Sequence, residues 1–171
     1  AKSCGVKNVG MLFTAKSPIT GWRFNTLLAT THIALCDVPK KLNTELIHSK
    51  LDLFRDFCNT YIARPTFKVA GLNPHAGEEG ILGKEEKDWL NNALISWNKK
   101  NKDIKLLGPL SPDSCWNSSA KAWREKDAEK HDGILAMYHD QGLIPMKVIA
   151  LNYSVNTTIG LPFIRTSPDH G

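Results

Sequence analysis

The sequence predicts an α/β fold built on a largely parallel sheet. Short apolar runs of strand length alternate with segments that carry apolar residues at helical spacing, and glycine- and proline-rich turns separate them. The 171 residues are 42% hydrophobic and 23% charged, the balance of a chain able to bury one sizeable core.

Val9 to Phe13 reads as the first strand, and Trp22 to Leu35, mixed β-branched, aromatic and leucine residues without helical period, as one or two more. Pro39 closes that segment. Asn43 is a helix N-cap, Glu45 lies in the first turn, and Leu46, Leu53, Phe54, Phe57 and Tyr61 recur at helical spacing before Pro65. Phe67 to Ala70 is a strand, and Gly71 to Gly83 a loop. A second helix runs from about Lys84 to Asn98, where Trp89, Leu90, Ala93, Leu94 and Trp97 form an apolar face suited to core packing. Gly108 to Asp113 reads as a proline-rich connection, and Lys121 to Glu129 as a charged surface helix. Ile134 to Tyr138, Val148 to Leu151 and Val155 to Ile159 are strand pieces, followed by a turn at Gly160 to Pro162. The sequence holds no internal repeat and no low-complexity tract.

Bulk properties exclude several function classes. The net charge of +5 is modest, and the densest lysine run (Lys99, Lys100, Lys102, Lys105) is a solvated helix end, so no nucleic-acid surface is expected. No apolar run reaches membrane-spanning length and no signal-peptide pattern opens the chain. Cys4, Cys36, Cys58 and Cys115 lack CxxC pairing and suit free thiols in a reducing, cytoplasmic setting. The chain opens at Ala1 without methionine and stops at Gly171 inside a motif-like stretch, so it reads as a fragment.

His75 follows one expected strand and His139 another, which would put both imidazoles at the carboxyl edge of the sheet, where α/β proteins bind ligands. Neutral imidazole is a favoured ligand of zinc and similar ions. Spacing alone does not tie the two to one ion, and each also suits a hydrogen-bonding role in a loop. Gly71, Gly77, Gly80 and Gly83 match neither the dinucleotide fingerprint nor the P-loop, and fit a backbone-shaped pocket better. Lys147 and Arg165 are able to hold a phosphate, and Asn156 is an unusual polar residue in an apolar run; a surface salt bridge or a turn contact would explain each equally. His32 reads as structural, and His48 and His131 as exposed. His170 could belong to a site. Ser17, Ser111 and Ser167 precede prolines and show no nucleophile elbow.

Taken together, GLNPHAGE with the following LGKEE, LGPLSPD, AMYHDQG with Lys147 behind it, and VNTTIGLPFIRTSPDHG stand in the order and spacing of one family. With ATTHIALCDVPKKL, the likeness covers nearly the whole chain, which resembles the 4-hydroxythreonine-4-phosphate dehydrogenase family. The resemblance implies a three-layer α/β/α fold like that of isocitrate and isopropylmalate dehydrogenases. This chain would then be the C-terminal part of a two-domain subunit, with residues 1–140 most of the second domain and 141–171 a return segment into the first. It implies a homodimer with the active site at the subunit interface, and oxidative decarboxylation of 4-phosphooxy-L-threonine to 3-amino-2-oxopropyl phosphate in vitamin B6 synthesis. The cofactors implied are NAD or NADP and a divalent metal (zinc, magnesium or cobalt).

By the same resemblance His75 and His139 match two of three metal-binding histidines, and Lys147, Asn156 and Arg165 match substrate contacts. The third histidine is expected upstream of Ala1, with His32 or His170 as its candidates within the chain should the chain prove active. The general base is not assigned, Lys147 and Asp140 both being possible. This chain alone is expected to be inactive. A sister enzyme acting on threonate or erythronate 4-phosphate, and a non-catalytic metal- or phosphate-binding module, would use the same residues.

Overall fold

The structure is a computed structural model that describes residues 5–6 and 8–168. Seven strands form one sheet: β1 (Gly10–Lys16), β2 (Arg23–Leu28), β3 (Thr66–Ala70), β4 (Lys105–Leu110), β5 (Gly133–Ala136), β6 (Ser154–Ile159) and β7 (Arg165–Pro168), in the order β4-β3-β5-β2-β1-β6-β7. The helices are α1 (Val38–Lys41), α2 (Thr44–Cys58), α3 (Asn91–Lys100), α4 (Asn117–Arg124) and α5 (His139–Ala150). The expectation of a largely parallel sheet holds for one half only. Strands β4, β3, β5 and β2 are parallel, whereas β1, β6 and β7 join them antiparallel.

Strand alternation sends neighbouring residues to opposite faces, and both faces are covered. Leu12, Leu27, Val69 and Leu135 pack with Ile47, Leu51 and Phe54 of α2 and Leu94 and Trp97 of α3. Their neighbours Phe13, Leu28, Ala70 and Ile134 face Ala122 and Trp123 of α4 and Leu143 and Met146 of α5. The result is a three-layer α/β/α arrangement. All four residues of β5 are buried, as expected of a central parallel strand with helices on both sides. Each large apolar side chain so buried contributes about 1.5–3 kcal/mol. Phe54 stacked on Phe67, with ring centres 4.7 Å apart, joins α2 to β3.

Helix α2 begins where expected. The Asn43 side chain accepts a hydrogen bond from the Leu46 backbone N–H at 2.8 Å, a cap worth about 1 kcal/mol. The second expected helix begins as a π-helical turn over Glu86–Leu90 before α3 proper, and the 71–83 loop turns tightly over Pro74–Gly80 with positive φ from His75 to Glu79. Only Arg23–Leu28 of the Trp22–Leu35 stretch is strand.

Three of these readings are corrected, and one strand was not foreseen. Lys105–Leu110, partly read as a connection because of Gly108 and Pro109, is strand β4; it lies at the sheet's edge, where a missing N–H is tolerated. Val148–Leu151 is not a strand: Val148 to Ala150 end α5, which spans Pro145 and packs so close to the sheet that a Cβ on Gly142 would meet Leu28 Cδ2 at 2.6 Å. The charged helix lies earlier, at Asn117–Arg124, with Ala122 and Trp123 buried. Arg165–Pro168, not foreseen as a strand, pairs with β6.

Candidate functional site

Because β2, β3, β4 and β5 run parallel, their following segments emerge on one rim. His32 comes from the segment after β2, His75 from that after β3, Asp113 from that after β4, and His139 opens α5 after β5. His32 and His139 stand together: their ring centres are 5.3 Å apart, with planes tilted by 52°. His139 Nδ1 is 2.7 Å from Asp140 Oδ1. In the tautomer in which Nδ1 donates to this carboxylate, Nε2 of the neutral ring is left with its lone pair, the arrangement in which outer carboxylates orient metal-binding histidines.

A cleft of about 400 Å³ opens beside this pair, lined by Met11, Phe13, His32, His139, Leu143, Lys147 and Asn156 among others. Its construction follows from the elements. His139, Leu143 and Lys147 recur every four residues along α5 and so stack on one face. Asn156 enters from β6, opposite Phe13 of β1. Its Oδ1 is buried and has no hydrogen-bond partner among the described residues. Such an acceptor costs about 1–3 kcal/mol unless a donor meets it. A larger, mostly apolar hollow of about 620 Å³ lies on the other side of Asp140, between α4 and α5, with Trp116, Tyr138, Ile144 and Val148 in its wall. The polar chemistry is concentrated in the smaller cleft.

His139, Lys147 and Asn156 are therefore brought together, whereas His75 and Arg165 do not line the cleft. His75 is exposed on its own loop, near enough to Asp113 to help hold that carboxyl below its ordinary range, after the larger effect of the Ser111 hydroxyl at 2.5 Å. Arg165 is exposed on β7 and donates to Thr158 Oγ1 at 2.8 Å. Among the described residues, no three His, Cys, Asp or Glu side chains of one chain gather closely enough to hold an ion.

The loop that carries His75 is conformationally costly. His75, Ala76, Glu78 and Glu79 all have positive φ, between 43° and 56°. For L-residues this costs roughly 1–2 kcal/mol each, so the surroundings must enforce it. Gly77 sits in the middle at φ 82°, where a Cβ would meet Gly83 O at 2.8 Å and Glu86 Oε2 at 2.9 Å. Glu86 is 2% exposed and accepts from the backbone N–H groups of Leu72 (2.7 Å) and Asn73 (2.8 Å) and from Asn73 Nδ2 (2.8 Å).

The remaining histidines differ from their sequence reading. His32, expected to be structural, is exposed at the cleft. Its place in the segment after a strand, the feature that marked His75 and His139, was the signal for it. His131, expected to be exposed, is 1% exposed; its Nε2 meets Ser119 Oγ at 2.9 Å, and burial foremost, with the Lys68 charge adding, pushes its pKa down to about 3. His48 is half-buried against Ala93 O (2.8 Å) and Ser96 Oγ (3.2 Å). Cys36, Cys58 and Cys115 are free thiols, the last two buried; Cys4 and His170 lie outside the described residues. No helix among the described residues is long and apolar enough to cross a membrane.

A half-parallel sheet covered on both faces, with a polar cleft at its carboxyl rim, defines an α/β domain of the isocitrate/isopropylmalate dehydrogenase-like class, the class of its structural neighbours. More narrowly, the model of the family described as pyridoxal phosphate biosynthetic protein PdxA matches residues 1–171, and the chain belongs to that family. It is 53% identical over 173 residues to a 4-hydroxythreonine-4-phosphate dehydrogenase of Synechococcus sp. (strain RCC307), covering all of this chain and 53% of that relative. The crystal structure of a 4-hydroxythreonine-4-phosphate dehydrogenase from Klebsiella pneumoniae superposes with a TM-score of 0.82 at 33% identity, over all of this chain and 47% of that one. A terephthalate 1,2-cis-dihydrodiol dehydrogenase from Burkholderia xenovorans LB400, at 24% identity and TM-score 0.72 over 91% of this chain and 45% of that one, shares the fold. The chain spans about half the length of the curated relatives it matches.

Proposed function

We propose that the chain forms a large part of a dehydrogenase that uses a divalent metal and NAD or NADP to oxidise and decarboxylate 4-phosphooxy-L-threonine to 3-amino-2-oxopropyl phosphate, in vitamin B6 synthesis. The observation that carries this reading is the cleft uniting His32, His139, Lys147 and Asn156 in a chain so similar to enzymes of that name.

The donor set fits a metal. Two imidazoles bound to one tetrahedral ion have ring centres roughly 5 Å apart, close to the 5.3 Å between His32 and His139. His32 is thus our candidate for the histidine that the family resemblance had put upstream of Ala1. His75, which does not line the cleft of its own chain, would complete the set from the second subunit of a homodimer. Exposed Ile144 and Val148 on α5 offer that dimer an apolar contact beside the site. When bound, the ion would acidify the substrate hydroxyl and polarise the ketone that follows. The buried Asn156 Oδ1 would accept from the substrate's hydroxyl or ammonium, and Lys147 would hold the phosphate as a point charge. Arg165, on the edge strand, would reach the phosphate only from outside the cleft. Asp140 fixes the His139 ring.

For the complete subunit we keep the two-domain assignment, residues 1–140 in the second domain and 141–171 returning to the first; within this chain residues 139–168 supply α5, β6 and β7 to the same seven-stranded sheet. A cytoplasmic setting is supported by three described thiols outside any disulfide.

The test is an assay of the complete enzyme with zinc, magnesium or cobalt, NAD or NADP, and two substrates, 4-phosphooxy-L-threonine and erythronate 4-phosphate. Reduced cofactor should accumulate with the first. Preference for the second would assign the sister activity, and metal binding without turnover of either would leave a binding module.

A further inference from the structure

We propose that Glu86 and Gln141 are positioning residues, which together fix the His75 and His139 segments relative to one another and so set the geometry of the cation site; this rests on the metal-dependent reading above. Neither side chain lines the His32–His139 cleft. Both are buried at the rim, Glu86 at 2% and Gln141 at 8% exposure.

The bonds form a continuous path. Gln141 Oε1 accepts from the Met137 N–H at 2.7 Å, two residues before His139, and its Nε2 donates to Gly71 O at 2.8 Å, at the end of β3. One residue on, Glu86 Oε1 accepts from Leu72 and Asn73, and Oε2 holds the Asn73 amide. Those two residues lead directly into the left-handed run that carries His75. Glu86 stands in the π-helical turn before α3, so it ties the loop to a helix rather than to another loop. A buried carboxylate and a buried amide are poor ways to hold a fold together, because apolar packing avoids their desolvation cost. Their bonds go instead to backbone groups that sheet and helix leave unpaired, on the two segments that bear the histidines. A fixed offset between those segments is what an ion shared between subunits requires, since ligand donors tolerate little displacement.

The experiment uses the complete enzyme and the variants Glu86→Gln and Gln141→Leu, with Ser119→Ala as a control that removes a buried hydrogen bond far from the rim. Hydrogen exchange is followed on metal-free protein, and zinc affinity by calorimetric titration. Exchange at the Leu72 and Asn73 amides should quicken at least tenfold in Glu86→Gln, with strands β1 and β6 unaffected. Zinc affinity should fall at least tenfold in both rim variants and stay unchanged in Ser119→Ala. Should either rim variant fail to fold, the other decides. Zinc binding by the wild type that both variants retain in full overturns the positioning role, as does unchanged exchange at Leu72 and Asn73. A wild type that binds no zinc, magnesium or cobalt overturns instead the metal reading on which the role depends.

Discussion

Two regions of the molecule each pair a histidine with a polar neighbour, and they could hardly differ more in use. Beneath α4, His131 meets the Ser119 hydroxyl, with Trp22 packed edge-on against the imidazole at 5.2 Å and Lys68 bonded to Ser118 at 2.6 Å. Serine beside histidine has the composition of a nucleophile and its base, yet Ser119 is fully buried and no substrate reaches it. At the rim, His139 meets Asp140, is about one-third exposed, and faces His32 across an open cleft. Residue type is shared between the regions; access to solvent and the direction of the free ring nitrogen are not. A histidine's neighbours in space, and not in sequence, set whether it is sealed in the core or open to a cleft.

Acid is the strongest way to break the buried region. His131 has its folded pKa depressed to about 3, against an unfolded value near 6.5. Between those values the unfolded chain binds a proton that the folded chain refuses, so stability is full above pH 6.5 and falls as pH drops through the window. The loss should reach a few kcal/mol, at most about 5. Urea titrations from pH 7 to pH 4 would measure it, and His131→Gln should flatten the slope. An equal slope in that variant would put the acid sensitivity elsewhere.

At the rim the effect should appear in kinetics rather than in folding. Lys147→Ala removes a charged contact to a bound phosphate and should lower kcat/KM at least tenfold, about 1.4 kcal/mol or more. The melting temperature should stay within a degree or two of the wild type. Arg165→Ala, outside the cleft, should cost less. Comparable losses in both variants would show that β7 closes over the substrate, and normal kinetics in both would remove the phosphate assignment.

Smallest is the effect of Ser119→Ala, which deletes the hydroxyl facing His131. It should cost about 1 kcal/mol of stability and leave turnover unchanged. Denaturant unfolding and steady-state kinetics on one preparation would check both halves. A drop in turnover would mean that the two regions are coupled, and the contrast between them would fail.

Much of the fold was legible in the chain because local signals and tertiary environment agree there. The Asn43 cap, the helical spacing through Leu46, Leu53, Phe54 and Phe57, and the apolar runs around Phe67 and Ile134 all point the same way as the final packing, although the fully buried face of α2 also takes in Ile47 and Leu51. The site was legible in part: His139, Lys147 and Asn156 were singled out, and they do line one cleft. Where local signals conflict with context, the sequence misled. The apolar run Val148 to Leu151 reads as a strand piece, but α5 runs on through Ala150, with Gly142 seated close on Leu28. Gly108 and Pro109 suggest a loop, but an edge position accepts them in β4.

The family, the α/β class and the residue types of the candidate cleft are legible in the chain alone, since they are written in motifs and periodicity that need no partner. Which histidines reach the cleft depends on contacts between distant segments. Polar flanks made His131 look exposed, and Trp22, Ser119 and Lys68, all from distant segments, bury it. An apolar stretch made His32 look structural, and the parallel pairing of β2 with β5 brings it out beside His139. Burial and ligand spacing are sums over contacts between segments far apart in the chain, and strand order sets those contacts.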